Sequence, residues 1–479
     1  MQFFEIVLIS YCLFGTIFLL FNKQAHRIWA LIGPLLFLLQ WMLEGLRWQI
    51  APALALLVVL SWVRAFPIGR RWVRYVVFSL GLLFLAVSAW LCYALPVFSL
   101  PSPTGPYQVG AYEFAISDTS REEDITTDPN DFREFMVRVW YPASSSTKKP
   151  VEYLDETTRK GFAIKYGMPE FVFQYLDHVE THSFWEAPQA AGSFPVVVFA
   201  PGLYTPAYGY HALLEELASH GYMVININPT YETMASRFPD GREVFFDREY
   251  SAAGWSEEMG KTVYAFENAT SDSVRYAAVL RITQIYQSSK NVIRWAADMQ
   301  TVLGRLDIWN SDPSSFLFHR LNTDQVALLG HSQGGAAALE ASLSAPEVRA
   351  AINLDGSQWG NLISEGVQVP SLLLNSEWPD EHTDANRYIF SKPTSASFYS
   401  LTLTAAGHST FSDIPLMVRI PQINQAGTIS PKTGHRVMND LILGFLKKYV
   451  SDEGDYSFDE LVRNTADLVP KENWKLPNP

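Results

Sequence analysis

A chain of 479 residues is too long for one ordinary domain, and its formal net charge of −13 leaves no basic face for a polyanion, so a nucleic-acid partner is not expected. The two cysteines, Cys12 and Cys92, both fall in apolar stretches, which excludes a disulfide framework and a cysteine-rich zinc site. Hydrophobic residues make up 48% of the chain and charged residues 18%, an average that hides an apolar first hundred residues and a soluble-type remainder long enough to bury a large core.

Four apolar runs open the chain: Phe3–Phe21, Ile28–Leu46, Ala51–Phe66 and Val73–Phe98. A helix needs about 20 residues, within a range of about 17–25, to cross the hydrocarbon core. The first, second and fourth runs meet this and the third is marginal, short enough to be re-entrant. A cleaved signal peptide is the competing reading of the first run. It has no basic stretch ahead of it, no clear small-residue cleavage site, and further apolar runs behind it. Positive charge sits in the first loop (Lys23, Arg27) and the third (Arg64, Arg70, Arg71, Arg74), whereas the second carries only Arg47 beside Glu44. If all four runs span, both basic loops are cytoplasmic, and the N-terminus and residues 101–479 lie on the extracytoplasmic side. No ionisable group sits in mid-span, so the region reads as a transmembrane anchor of about four helices over residues 1–100 rather than a transport pathway.

Pro101–Pro106 reads as a linker. Strand-like runs follow at Tyr107–Ser117 and Phe135–Tyr141, then an irregular insertion near 143–192. Beyond it, Val196–Phe199 leads to a helical His211–His220, and Tyr222–Ile227 is another strand-like run. A second insertion occupies about 230–300. Val326–Leu329 precedes a helical Gly335–Leu343. Runs at Ala350–Leu354, Ser371–Leu374 and Tyr399–Leu403 lead to a closing helix at Lys432–Val450, with 451–479 left as a tail. Short apolar runs alternating with helices predict an α/β fold, a mostly parallel sheet covered on both faces. Its chemistry belongs at the carboxyl ends of the strands.

Gly330-His331-Ser332-Gln333-Gly334 matches G-x-S-x-G. The pattern suits a strand that turns sharply into a helix and lifts a serine hydroxyl above the sheet, with glycines where strand and helix come close. Three fixed positions alone are weak evidence, but the context supplies the rest: Asp324–Leu329 is a strand lead-in and Ala336–Glu340 a helix start. Ser332 is therefore the expected nucleophile of an α/β-hydrolase fold. Its base should follow the last strand. Of the histidines after Ser332, His382 falls one strand early and His435 lies in the closing helix, where a solvated or capping role is more natural. His408 sits just past the last strand. The acid is open between Asp355, which ends the run Ala350–Leu354, and Asp380, with Glu377 and Asp384 near the latter. Position favours Asp355. An oxyanion hole requires two backbone donors: the N–H of Gln333, after the nucleophile, and that of Leu203 in Phe199-Ala200-Pro201-Gly202-Leu203-Tyr204. An ordinary Pro-Gly turn is the plain alternative for that loop.

With these residues in place the chain resembles the platelet-activating factor acetylhydrolase family, plasma type, and its bacterial relatives. Met136–Pro142 resembles the family's second strand. Phe194–Leu203 resembles its oxyanion strand, with Ala-Pro where the human members have Ser-His, and Leu217–Tyr222 also matches. Leu354-Asp355-Gly356 falls where the family carries its acid and Gly407-His408 where it carries its base. The resemblance covers most of 105–450, implies Asp355 as the acid and Leu203 with Gln333 as the oxyanion pair, and leaves Arg248–Asp298 and the apolar anchor without counterpart. It implies hydrolysis of short or oxidised acyl esters through an acyl-enzyme, with no metal or organic cofactor. Amide or lactone hydrolysis, and a non-catalytic membrane receptor on the same fold, are the competing functions. The expected partners are a small ester or lipid substrate and the lipid bilayer. The aromatic stretch Phe162–Leu176 could dip into the headgroups or pack as a lid, and Trp255, Tyr264 and Phe266 suggest a second lid.

Overall fold

The computed structural model describes residues 2–20, 28–65, 70–145, 148–252, 256–377, 383–392, 394, 396–451 and 456–470. The chain divides into two compact units. One is Met1–Ser99 with Tyr166–Glu180 and Leu416–Asn424, and the other is Leu100–Lys165, Thr181–Pro415 and Gln425–Pro479.

The first unit is built on four helices, α1 (Phe3–Leu20), α2 (Ile28–Glu44), α3 (Ala51–Ala65) and α4 (Arg71–Ala94). By length and composition α1 and α4 are long and apolar enough to cross a membrane; α2, with Pro34 inside it, and α3 are shorter. Leu8, Cys12, Ala53, Leu56, Leu85 and Cys92 pack together inside this unit, while Phe14, Leu31, Trp41, Trp62, Leu83 and Trp90 face outward. Helices apolar on both faces suit an apolar solvent. Polar groups close the unit at the ends of its helices. The Glu44 carboxylate accepts the otherwise free N–H groups of Phe4 (2.6 Å) and Glu5 (3.2 Å). Arg47 pairs with Glu5 and donates to Leu95 O at 2.6 Å. The two excursions from later in the chain are tied in similarly. Trp48 Nε1–H donates to Val172 O (3.0 Å), Arg419 N–H to Ala94 O (2.9 Å), and Tyr175 O–H to Met417 O (2.9 Å). The lysine and arginine of the first loop, Lys23 and Arg27, lie outside the described residues.

The second unit is an α/β sandwich on a ten-stranded sheet. Its strands are β1 (Gln108–Glu122), β2 (Phe132–Ala143), β3 (Ser183–Trp185), β4 (Phe194–Ala200), β5 (Met223–Pro229), β8 (Leu321–His331), β9 (Val348–Leu354), β10 (Ser371–Ser376), β11 (Phe398–Leu403) and β12 (Leu468–Pro470); β6 (Ala235–Arg237) and β7 (Glu243–Phe245) form a separate ribbon. The order across the sheet is β12-β11-β10-β9-β8-β4-β5-β2-β1-β3. The six strands from β11 to β5 are mutually parallel; β2 joins antiparallel to β5, and β12 antiparallel to β11. Continuous apolar runs such as Val196–Phe199 and Val326–Leu329 are buried on both faces, as a covered parallel sheet requires. One face packs under the helix Gln287–Leu303 through Trp295 and Met299. The other packs under His211–Ser219 and Pro431–Tyr449 through Leu213, Leu217, Leu441 and Phe445.

Two segments are more ordered than the sequence suggests. The insertion after β2 contains the helix Glu156–Tyr166 and a 3₁₀ turn at Glu170–His178, and the second insertion contains the helices Glu257–Glu267, Asp272–Ile285 and Gln287–Leu303. The tail is not a free extension: the helix Phe458–Asn464 and β12 add to the sheet edge because Phe458 buries itself between Tyr399 and Phe445, at ring separations of 4.9 and 5.3 Å.

Candidate active site

The site forms at the carboxyl ends of four successive neighbours in the sheet, β8, β9, β10 and β11. β8 stops at His331, and Ser332 takes φ 55° and ψ −123° before the helix Gln333–Ala341 begins. A positive φ at a serine costs of order 1–3 kcal/mol and persists only where the surroundings impose it. They do so here through the glycines. A Cβ on Gly330 would stand 2.2 Å from the Gly334 carbonyl carbon, and one on Gly334 2.2 Å from Ala200 O. The turn is tied across the sheet as well, since Ser332 N–H donates to Leu354 O at 2.8 Å and Gly334 N–H to Pro201 O at 3.1 Å.

Ser332 Oγ lies 3.0 Å from His408 Nε2, and His408 Nδ1 lies 2.7 Å from Asp355 Oδ2. Asp355 follows β9 directly with φ 54°, and its N–H donates to Leu374 O. Burial raises its carboxyl, but the bonds from His408 and from Ser376 outweigh it and hold the group below the usual carboxylate range. Ser376 ends β10 and supplies two of those bonds, from its N–H (2.6 Å) and its hydroxyl (2.9 Å). Asp380, the alternative acid, and His382 lie outside the described residues, as does Trp255. Glu377 instead binds Ala405 N–H.

The loop after β4 supplies the second element. Gly202 N–H donates to Tyr210 Oη (2.8 Å), Tyr204 N–H to Glu232 O (2.8 Å) and Thr205 N–H to Gly202 O (3.3 Å). Leu203 N–H sits between these committed donors. Gln333 opens a helix, and its N–H is one of the donors that a first turn leaves unpaired within the helix. The loop is braced from below: Glu232 is fully buried against Arg133 (3.5 Å) and Arg294 (3.1 Å), in a cluster that includes Glu123 and Asp298.

Three neighbours carry no obvious mark in the sequence. Ser376 has no charge to draw the eye, and Tyr210 is one aromatic residue among many. His331 turns away from Ser332, yet its ring packs 4.8 Å from that of His408 and its Nε2 lies 3.0 Å from His408 O. His435, expected to be solvated or capping, is buried with Nε2 on Ser412 O at 2.9 Å. Its helix face packs inward, and that decides the matter. Of the suggested second lid, Tyr264 is exposed, and Phe266 meets Tyr388 edge-on at 6.0 Å.

The profile of the family "Platelet-activating factor acetylhydrolase, isoform II" matches residues 94–467. A platelet-activating factor acetylhydrolase from Cavia porcellus is 22% identical over 76% of this chain and 80% of its own length. One from Gallus gallus is 23% identical over 76% and 87%. Cutinase 2 of Thermobifida cellulosilytica is 26% identical over a shorter stretch, 32% of this chain and 51% of that protein. Among solved structures, a ferulic acid esterase from Streptomyces cinnamoneus superposes with a TM-score of 0.62 at 25% identity, over 79% of this chain and all of that one.

Proposed function

The chain belongs to the platelet-activating factor acetylhydrolase family, isoform II, and from that premise we propose that it is a membrane-anchored serine carboxylic-ester hydrolase acting on short or oxidised acyl esters of amphiphiles. The observation that carries the reading is the unbroken line from Ser332 Oγ through His408 to the buried Asp355. In this mechanism His408 Nε2 takes the Ser332 proton as the hydroxyl attacks the ester carbonyl. Asp355 holds the ring's other N–H and stabilises the imidazolium. The carbonyl oxygen becomes an anion facing the N–H groups of Leu203 and Gln333, each worth about 2.7–4 kcal/mol in comparable sites. His408 then returns the proton to the departing alcohol, leaving an acyl-enzyme on Ser332, and a water activated by the same base releases the acid.

Ester chemistry is what the relatives share by name: acetylhydrolases, a cutinase and a ferulic acid esterase. The anchor reading is supported by α1 and α4, two helices of adequate length and apolarity. The stretch Tyr166–Glu180, with Tyr166, Met168 and Phe171 half exposed, is part of the same unit as those helices. That placement supports a headgroup-level position for it over a lid.

The test is covalent labelling of the detergent-solubilised full chain with a fluorophosphonate, beside Ser332→Ala, followed by turnover of p-nitrophenyl acetate and longer esters. Labelling that vanishes in Ser332→Ala, with turnover falling as the acyl chain lengthens, is the expected result. A folded wild type that neither labels nor turns over would refute the catalytic reading and favour a receptor on a hydrolase fold.

A further inference from the structure

We propose that Tyr210 and His331 form a positioning relay that locks the oxyanion loop to the backbone of the base, so that the two halves of the site move as one piece. The proposal rests on the Ser332–His408–Asp355 reading and adds residues that touch neither substrate nor the reacting atoms.

The proton positions follow from the chemistry of the partners. His331 Nε2 faces the His408 carbonyl oxygen at 3.0 Å, and a carbonyl can only accept, so Nε2 carries a hydrogen. The ring is fully buried, and burial first, then the neighbouring His408, push it down to about 3. It is therefore neutral, and Nδ1 is a bare acceptor. Tyr210 Oη lies 2.9 Å from that Nδ1 and already accepts Gly202 N–H at 2.8 Å. Thr205, the other group near Tyr210, spends its hydroxyl hydrogen on Gly202 O at 2.7 Å and is farther off at 3.3 Å. The Tyr210 hydrogen thus goes to His331. Every donor in the chain has one acceptor: Gly202 N–H to Tyr210, Tyr210 O–H to His331 Nδ1, and His331 Nε2–H to His408 O.

The connection spans segments far apart in sequence. Gly202 follows β4, next to the proposed donor Leu203; His408 follows β11; His331 ends β8, immediately before the nucleophile. The relay references both the oxyanion donors and the base to the residue that precedes Ser332. It also keeps the ring beside His408, tilted 38° to it at 4.8 Å, uncharged while His408 gains its proton, which removes a like-charge repulsion at the step that needs the imidazolium. Misplacing a catalytic group by about 1 Å can cost on the order of 100-fold in rate, so a brace of this kind should act on turnover and leave substrate binding nearly alone.

The experiment is a double-mutant cycle on p-nitrophenyl acetate hydrolysis by the full chain. Tyr210→Phe keeps the buried ring, including its contact with Phe199 at 5.0 Å, and removes only the hydroxyl. His331→Gln keeps a donor near Nε2 and removes the acceptor. Each single variant is expected to lower kcat roughly 10- to 100-fold with KM changed less than about threefold. The double variant should be no slower than the worse single, because both break one chain. If His331→Gln does not fold, His331→Asn, which keeps an acceptor near Nδ1 and loses the donor to His408 O, replaces it in the cycle and should show the same coupling. Additive losses, or an unchanged kcat in folded Tyr210→Phe that still labels with fluorophosphonate, would overturn the relay while leaving the nucleophile intact. A wild type that fails to label overturns the underlying reading instead.

Discussion

Asp355 is held from three directions, and only one of them is His408, the proposed base. The Ser376 N–H and hydroxyl take one carboxylate oxygen each, at 2.6 and 2.9 Å, and fix the plane in which His408 Nδ1 is met at 2.7 Å. Ser376→Ala removes the hydroxyl bond, spares the backbone one, and leaves Asp355 able to swing. The expected outcome is a fall in kcat of about tenfold with KM little changed, checked by steady-state kinetics on a short ester; an unaltered kcat would assign Ser376 to folding alone. His331 makes a different residue-scale prediction. Unfolded, its ring takes up a proton near pH 6.5, and folded it does so only near pH 3, because burial and then His408 oppose the charge. The unfolded chain therefore binds more protons between those values. Stability from this group is fully present above about pH 6.5 and is lost as pH falls toward 3. One proton corresponds to about 1.4 kcal/mol per pH unit. The stability gap between wild type and His331→Gln should narrow by about that amount per unit from pH 6 to 4, read from urea midpoints. A gap constant with pH would mean that the folded ring is charged.

At the scale of elements, legibility tracks how local the cause is. β4 and β8 show up as continuous apolar runs because both their faces are covered, and Ser332 stands out because the glycines that permit its turn lie two residues away on either side. Asp355 directly follows such a run and His408 comes shortly after the last long strand, so position marks both as candidates. Pairing is harder to read. Nothing local in Phe132–Ala143 says that it lies antiparallel to β5 while β5 itself runs parallel to β4. The same is true of the tail, where β12 is recruited by Phe458 meeting side chains from β11 and the closing helix. The 230–300 insertion has polar and apolar residues mixed around its helices. Its ordered character comes from tertiary anchors such as Tyr388 O–H donating to Asp272 at 2.8 Å. Ser376, Tyr210 and His331 carry no local signal for the same reason, since each meets its partner only in the folded sheet.

For the whole molecule, the proposed anchor makes a prediction about sidedness, because the charge pattern gives it a testable sign. Arg70, Arg71 and Arg74 cluster where α4 begins, and the proposed four crossings place that end in the cytoplasm and residues 101–479 outside. The cysteines make the experiment clean, because Cys12 and Cys92 are both buried and residues 101–479 contain none. Lys261→Cys puts a thiol on a side chain that is 75% exposed and paired at the surface with Glu257, a contact whose loss should be nearly neutral. In intact cells expressing the full chain, a membrane-impermeant maleimide should label Lys261→Cys directly. It should label Arg70→Cys only after the membrane is opened. The reverse pattern would place residues 101–479 in the cytoplasm, either by inverting the four crossings or by leaving one of the shorter helices, α2 or α3, short of a full span. The active site would then meet lipids of the inner leaflet, and the substrate class would have to be sought among cytoplasmic esters.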